Sequence, residues 1–227
     1  MRSATPIVHV DVPPQPRSLP EKALLWATAH GYGNCANGDA TRFPEALAAI
    51  KARQNAFKND RGAAFRSLAT FTDAARNSLD RIWVLDPYLL KPEAGGDWRQ
   101  NIEAIMKWIP KETATRCVRL LTSSQGGVVE RDMASQFSEQ KKKINNHRRY
   151  QVPITIEVKY TLNRSFPYVH DRFAIVDDEL WHFGATVGGL HPDVSAASRG
   201  WSAREHRAVE FFEMAWQGDR DLMGKGK

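Results

Sequence analysis

The stretch His170-Asp171-Arg172-Phe173-Ala174-Ile175-Val176-Asp177, followed by the small residues Gly184-Ala185-Thr186, carries a fold signal and a chemical one together. Phe173 to Val176 is a short apolar, β-prone run. It is bounded by Asp177-Asp178-Glu179, and Leu180-Trp181-His182-Phe183 then reads as the returning strand of a hairpin. Side chains alternate along an extended chain, so His170 and Arg172 project together while Asp171 faces the other way. An imidazole and a guanidinium side by side suit a phosphate. The Gly184-Ala185-Thr186 turn adds little bulk, so a phosphate can approach its backbone, and Thr186 has a hydroxyl to donate.

In these residues the chain resembles the phospholipase D superfamily. His170-x-Arg172-x4-Asp177-x6-Gly184-Ala185-Thr186 is similar to the family's H-x-K-x4-D-x6-G-S/T signature, with arginine in place of lysine and an Ala-Thr pair where the family carries its small hydroxyl residue. The resemblance implies a nucleophilic His170 that forms a phosphohistidine, Arg172 as the phosphate clamp, Asp177 as a more distant support of the ring, and Thr186 as hydroxyl donor. It also implies a reaction that needs no metal and no cofactor. Arginine forks onto two phosphate oxygens but is bulkier than an ammonium point charge, so the exchange favours binding over chemistry.

Working outward, the Gly62 to Leu79 segment is helical in pattern and feeds the apolar stretch Arg81 to Leu90, a strand ending in the Asp86-Pro87 turn. Asp86 reads as a turn former at a strand end. Asp97 is placed to cap a helix running through Ile109 to Pro110, and Cys117 to Thr122 reads as a second core strand. A polar helix is expected from about Val128 to Arg149. Ile154 to Tyr160 alternates like a strand with one wetted face, and a terminal helix is expected around Glu205 to Trp216. Together these elements predict an α/β fold with a mixed, largely parallel central sheet flanked by helices, equivalent to one phospholipase-D-like half.

The N-terminal part differs. With Pro13, Pro14, Pro16 and Pro20, Val12 to Pro20 is expected to be extended or disordered, while Glu21 to His30 and Phe43 to Lys58 read as short helices split by a Gly31-to-Gly38 loop. Residues 1–60 are therefore expected to form an arm and helical annex, and residues 61–227 the α/β domain. At 227 residues with 42% hydrophobic content, the chain is long enough to fill one sizeable core. No apolar run spans a bilayer or forms a signal peptide, so a cytoplasmic location is expected. Cys35 and Cys117 form no ligand pair. His170, Asp171, His182, His191, Asp193 and His206 share a region but lack compact metal-ligand spacing, so no metal site is expected.

A net charge of +6 points toward a polyanionic partner. Lys141, Lys142, Lys143, His147, Arg148 and Arg149 crowd one expected helix end. They read either as a solvated helix terminus favoured by the dipole, or as phosphate contacts beside His170, with Lys141, Lys142, Arg148 and Arg149 as the binding residues. An acidic lipid surface would meet the same charges, but the segment lacks a continuous apolar face for insertion. The resemblance and the charge together imply a phosphodiesterase acting on nucleic acid. Because the family's reaction uses two histidines and only one motif is present, a homodimer with a shared site is implied. A non-catalytic phosphate-binding module and an interaction subunit of a larger assembly are the alternative readings.

Overall fold

The computed structural model describes residues 18–26, 51, 55, 68–92, 97–148, 150–189 and 195–218. Its strands are β1 (Ala23–Trp26), β2 (Arg81–Leu85), β3 (Cys117–Leu121), β4 (Thr155–Lys159), β5 (Phe173–Val176), β6 (Glu179–Phe183) and β7 (Ala196–Ser202). The helices are α1 (Ala69–Arg76), α2 (Trp98–Met106), α3 (Gly127–Asn146), α4 (Leu162–Ser165) and α5 (Ala208–Gln217), with a 3-10 turn at Val187–Gly189. The strands form one mixed sheet in the order β1-β7-β6-β5-β2-β3-β4. β2, β3 and β4 run parallel, and the remaining neighbours pair antiparallel. The chain is thus α/β, with a partly parallel sheet flanked by helices.

Strand alternation sorts the apolar residues into two cores. Ile82, Val84, Val118, Leu120, Ala174 and Val176 face a layer built from Phe71, Ile102, Ile105 and Met133 of α1, α2 and α3. Trp83, Leu85, Leu121, Phe173 and Ile175 face the opposite way, onto Phe212 and Ala215 of α5. β5 is buried along its whole length because helices cover both of its faces. The Trp83 and Phe212 rings stack 4.9 Å apart, while Phe71 meets Trp108 edge-on at 5.0 Å.

Local signals explain several boundaries. The Asp97 carboxylate accepts from the Arg99 amide at 2.9 Å and starts α2 as a side-chain N-cap. The regular helix closes at Met106, yet Trp108 and Ile109 remain buried in the turn that follows. In the hairpin between β5 and β6, Asp177 adopts a left-handed φ of 58°, a conformation aspartate tolerates better than most residues.

Two features depart from the sequence pattern. Ala23–Trp26, expected within a helix, is an edge strand paired with β7, from Ala23 opposite Arg199 to Trp26 opposite Ala196. Its short apolar run satisfies either periodicity, and the open edge of β7 decides the outcome. β7 itself, Ala-Ala-Ser-Arg-Gly-Trp-Ser, has weak β character by composition and is held by strands on both sides. The Gly31-to-Gly38 loop, Cys35 and most of the proline-rich arm lie outside the described residues, and of the expected Phe43-to-Lys58 helix only Lys51 and Asn55 are described, both helical.

Gly188 shows how tightly the 3-10 turn is seated. It has a φ of 75°, and a Cβ there would overlap the Trp108 ring, which is fully buried. The neighbouring backbone is also committed, because the Gly188 carbonyl accepts from the Leu68 amide at 2.7 Å. Gly188→Ala is therefore expected to destabilise the fold by about 3 kcal/mol or more, read as a lower urea midpoint.

Candidate functional site

The site forms where β2 ends and the segment leading into β5 begins. β5 runs antiparallel to β2 with Phe173 opposite Leu85, so Arg172 and His170 emerge beside Asp86. The Arg172 carbonyl still accepts from the Phe183 amide at 2.9 Å, which extends the ladder and fixes the direction of the side chain. This rim also carries the C-terminal ends of β3 and β4, the usual position for ligands in open α/β sheets.

Tyr88 joins the two expected phosphate-handling residues. The Arg172 guanidinium lies 4.8 Å from the centre of the Tyr88 ring, and the Tyr88 hydroxyl lies 3.5 Å from His170 Nδ1. Arg172 Nη1 also donates to the Gly184 carbonyl at 3.3 Å. Its Nε is buried and has no hydrogen-bond partner. His170 is exposed.

Asp86 lies beneath this cluster, completely buried. Its Oδ1 accepts from the Tyr88 amide at 2.7 Å, the turn geometry expected of it, and its Oδ2 accepts from the Val187 amide at 2.8 Å. Burial pushes the Asp86 carboxyl up to about 6, against the opposing pull of the Val187 and Tyr88 amides and of the Arg172 cation. The sequence pattern marks Asp86 as a turn residue and leaves its link to the Gly184–Val187 loop unseen. Thr186, on that loop, is 8% exposed and makes no hydrogen bond to His170 or Arg172. At Gly184 a Cβ would come within 3.3 Å of the Ala196 carbonyl oxygen, so the loop runs close against β7.

Asp171 turns to the opposite face, as alternation requires. Its carboxylate meets His182 Nε2 at 2.5 Å across the hairpin. Together with Phe173, Leu180, His206 and Phe211, these two residues line a cleft of about 410 Å³ beside α5. Among the described residues no group of three or more His, Cys, Asp or Glu side chains is gathered as a metal would need. His191 and Asp193 lie outside the described residues.

The remaining expected site residues are not brought to this rim. Asp177 sits at the far end of β5, about 17 Å from Arg172 by strand rise. Its carboxylate accepts from the Ser78 hydroxyl at 2.7 Å and from the Leu79, Asp80 and Arg81 amides at 3.0, 2.8 and 3.3 Å, binding the entry of β2 to the hairpin turn. The basic cluster also lies at that far end. α3 leads back from the C-terminal end of β3, and Arg148 donates to the carbonyls of Ala114 and Thr115, just before β3 starts, and to that of Val152. Lys143 pairs with Glu139 at 2.6 Å. Lys141 and Lys142 belong to the same last turns of α3, and Arg149 lies outside the described residues. The expected strip of phosphate contacts beside His170 is therefore not assembled from these side chains, because α3 carries them to the other end of the sheet.

No protein-family model matches the chain, and no curated protein matches it. Among solved structures the chain is similar to TrmBL2, an archaeal chromatin protein with a novel mode of DNA binding. The identity is 11% and the TM-score 0.36, over 77% of this chain and 62% of that one. It is also similar to a phosphatidylserine synthase from Haemophilus influenzae at 18% identity and a TM-score of 0.41, over 64% of this chain and 33% of the synthase. The chain spans less than two thirds of the length of either protein.

Two measurements separate the framework from the site. Asp177→Ala should lower stability by about 2 kcal/mol in urea denaturation while leaving sulfate affinity unchanged; lost affinity at unchanged stability would instead give Asp177 a role in the site. For Asp86 the sign is set by its raised folded value. Its contribution to stability is complete below the ordinary value of 3.8 and is lost as pH rises toward about 6. Stability should therefore fall across that window by about 3 kcal/mol from this group, and Asp86→Asn should remove that component of the pH profile.

Proposed function

We propose that the chain is a phosphodiesterase of the phospholipase D type, a nuclease that works through a phosphohistidine at His170. The observation that carries this reading is Tyr88, which contacts both the Arg172 guanidinium and His170 Nδ1 and so makes one cluster of a cation and a nucleophile. When Nδ1 holds its proton and donates it to the Tyr88 hydroxyl, Nε2 presents a lone pair to phosphorus. Arg172, already held by Gly184, has its remaining guanidinium N–H groups for the phosphate oxygens.

In this scheme Nε2 bonds to phosphorus, and the bond from phosphorus to the leaving oxygen breaks. The leaving oxygen takes a proton from His170 of a second copy across a two-fold interface; that imidazole then takes a proton from water as the water oxygen bonds to phosphorus, and the phosphorus–nitrogen bond breaks to return the lone pair to Nε2. The net positive charge supports nucleic acid as the substrate. In this reading residues 61–227 are the α/β domain, and the arm of residues 1–60 contributes β1 to its sheet. No helix among the described residues is long and apolar enough to cross a membrane.

Cleavage of labelled DNA and RNA tests the proposal. His170→Ala should lower cleavage about a thousandfold while leaving folding and dimerisation intact, and wild-type cleavage should persist in a chelator. Binding that weakens steeply with salt, without any cleavage by the wild-type protein, would make the chain a phosphate-binding module instead. A strictly monomeric, fully active protein would overturn the shared site.

A further inference from the structure

Asp86 occupies a place that turn formation alone does not require. A strand-end turn needs one carboxylate oxygen on the amide two residues ahead, and Oδ1 supplies that bond to Tyr88. Oδ2 reaches across the fold to Val187, at the end of the loop whose Gly184 carbonyl holds Arg172. One buried carboxylate thus anchors both walls of the rim: Tyr88, against which Arg172 and His170 rest, and the Gly184-to-Val187 loop. Arg172 is close enough to act on Asp86 through charge, yet the two form no ion pair, and Arg172 Nε has no partner.

We propose that Asp86 is the positioning residue of the phosphate site and that its protonation is coupled to an anion seated on Arg172. This rests on the reading of the rim as a phosphate site and adds a control within it. A buried carboxylate beside an unpaired cation is kept ionised partly by that cation. An oxyanion arriving on Arg172 cancels that help, so Asp86 takes up a proton as the anion binds. Protonation removes a negative charge from behind the bound anion, and linkage requires the two events to favour each other equally. The charged and titratable groups facing Asp86 are Arg172, His170 and Tyr88.

Sulfate is a suitable probe because it has no titration of its own in this range. In wild-type protein labelled at the aspartate carboxyl carbons, the Asp86 resonance should titrate near 6, and saturating sulfate should raise its midpoint by about one unit. Arg172→Ala should abolish the rise. In a His170→Asn background, which removes the neighbouring imidazole, sulfate should bind about tenfold tighter at pH 5 than at pH 8, and adding Asp86→Asn should flatten that dependence. A purely structural Asp86 would leave both readouts unmoved. Sulfate that binds through Arg172 without shifting Asp86 overturns the inference and leaves the proposed function standing. Failure of sulfate to bind the rim at all overturns both. Should Asp86→Asn fail to fold, the wild-type titration decides alone.

Discussion

The antiparallel seating of β5 against β2 is the constraint on which the remainder depends. It sets Leu85 opposite Phe173, and so places the end of one strand beside the beginning of the other. A parallel β5 would carry Arg172 and His170 to the Asp177 end of the sheet and leave Asp86 with Tyr88 alone. The reversed direction also makes β2 the boundary between the parallel and antiparallel parts of the sheet. Helices cover β5 on both sides, so a one-residue slip in this register would exchange two packed faces at once. The positions of His170 and Arg172 are therefore inherited from the core.

The two ends of the sheet divide the electrostatic work. At one rim Arg172 has a buried donor without a partner, and Asp86 is a carboxylate raised by burial. At the other, Asp177 spends its charge on a hydroxyl and backbone amides, while Arg148 gives Nε and Nη2 to carbonyls and keeps a buried Nη1 without a partner. Bonds of this kind, to backbone carbonyls and amides, serve the framework. Within the His-x-Arg-x4-Asp pattern this distinction separates the first two members from the third, which tightens the joint between α1 and β2 from a distance.

Much of the fold is legible in the residues because strong local signals agree with the tertiary outcome. The Asp97 cap, the apolar runs at 81–85 and 117–121, the hairpin about Asp177 and the closing helix all rest on patterns that packing reinforces. The sheet edge carries a weaker local signal. Ala23–Trp26 is too short for its period to separate strand from helix, and β7 is a strand because β6 and β1 pair with it. In the site, spacing alone brings His170 and Arg172 together. The Asp86–Val187 bond joins residues so distant in the chain that no local pattern encodes it. The basic cluster follows a related rule: its spacing identifies a helix end, while the direction of α3 decides which end of the sheet it reaches.

The pairing of β1 with β7 also fixes an order of assembly. Ala23 leaves the ribosome before Arg199 and finds its partner only when Arg199 has been made, so this edge is among the last parts of the sheet to close. Until then β7 offers an open row of backbone donors and acceptors, next to the ion pair between Arg199 and Glu179. Gly200 narrows what can fill that gap. Its φ is 93°, and a Cβ there would strike the Glu21 and Lys22 backbone, so the strand that docks must pass unusually close. The chain's own early segment has to arrive in register, which makes this glycine a gauge on late folding and on pairing with foreign strands.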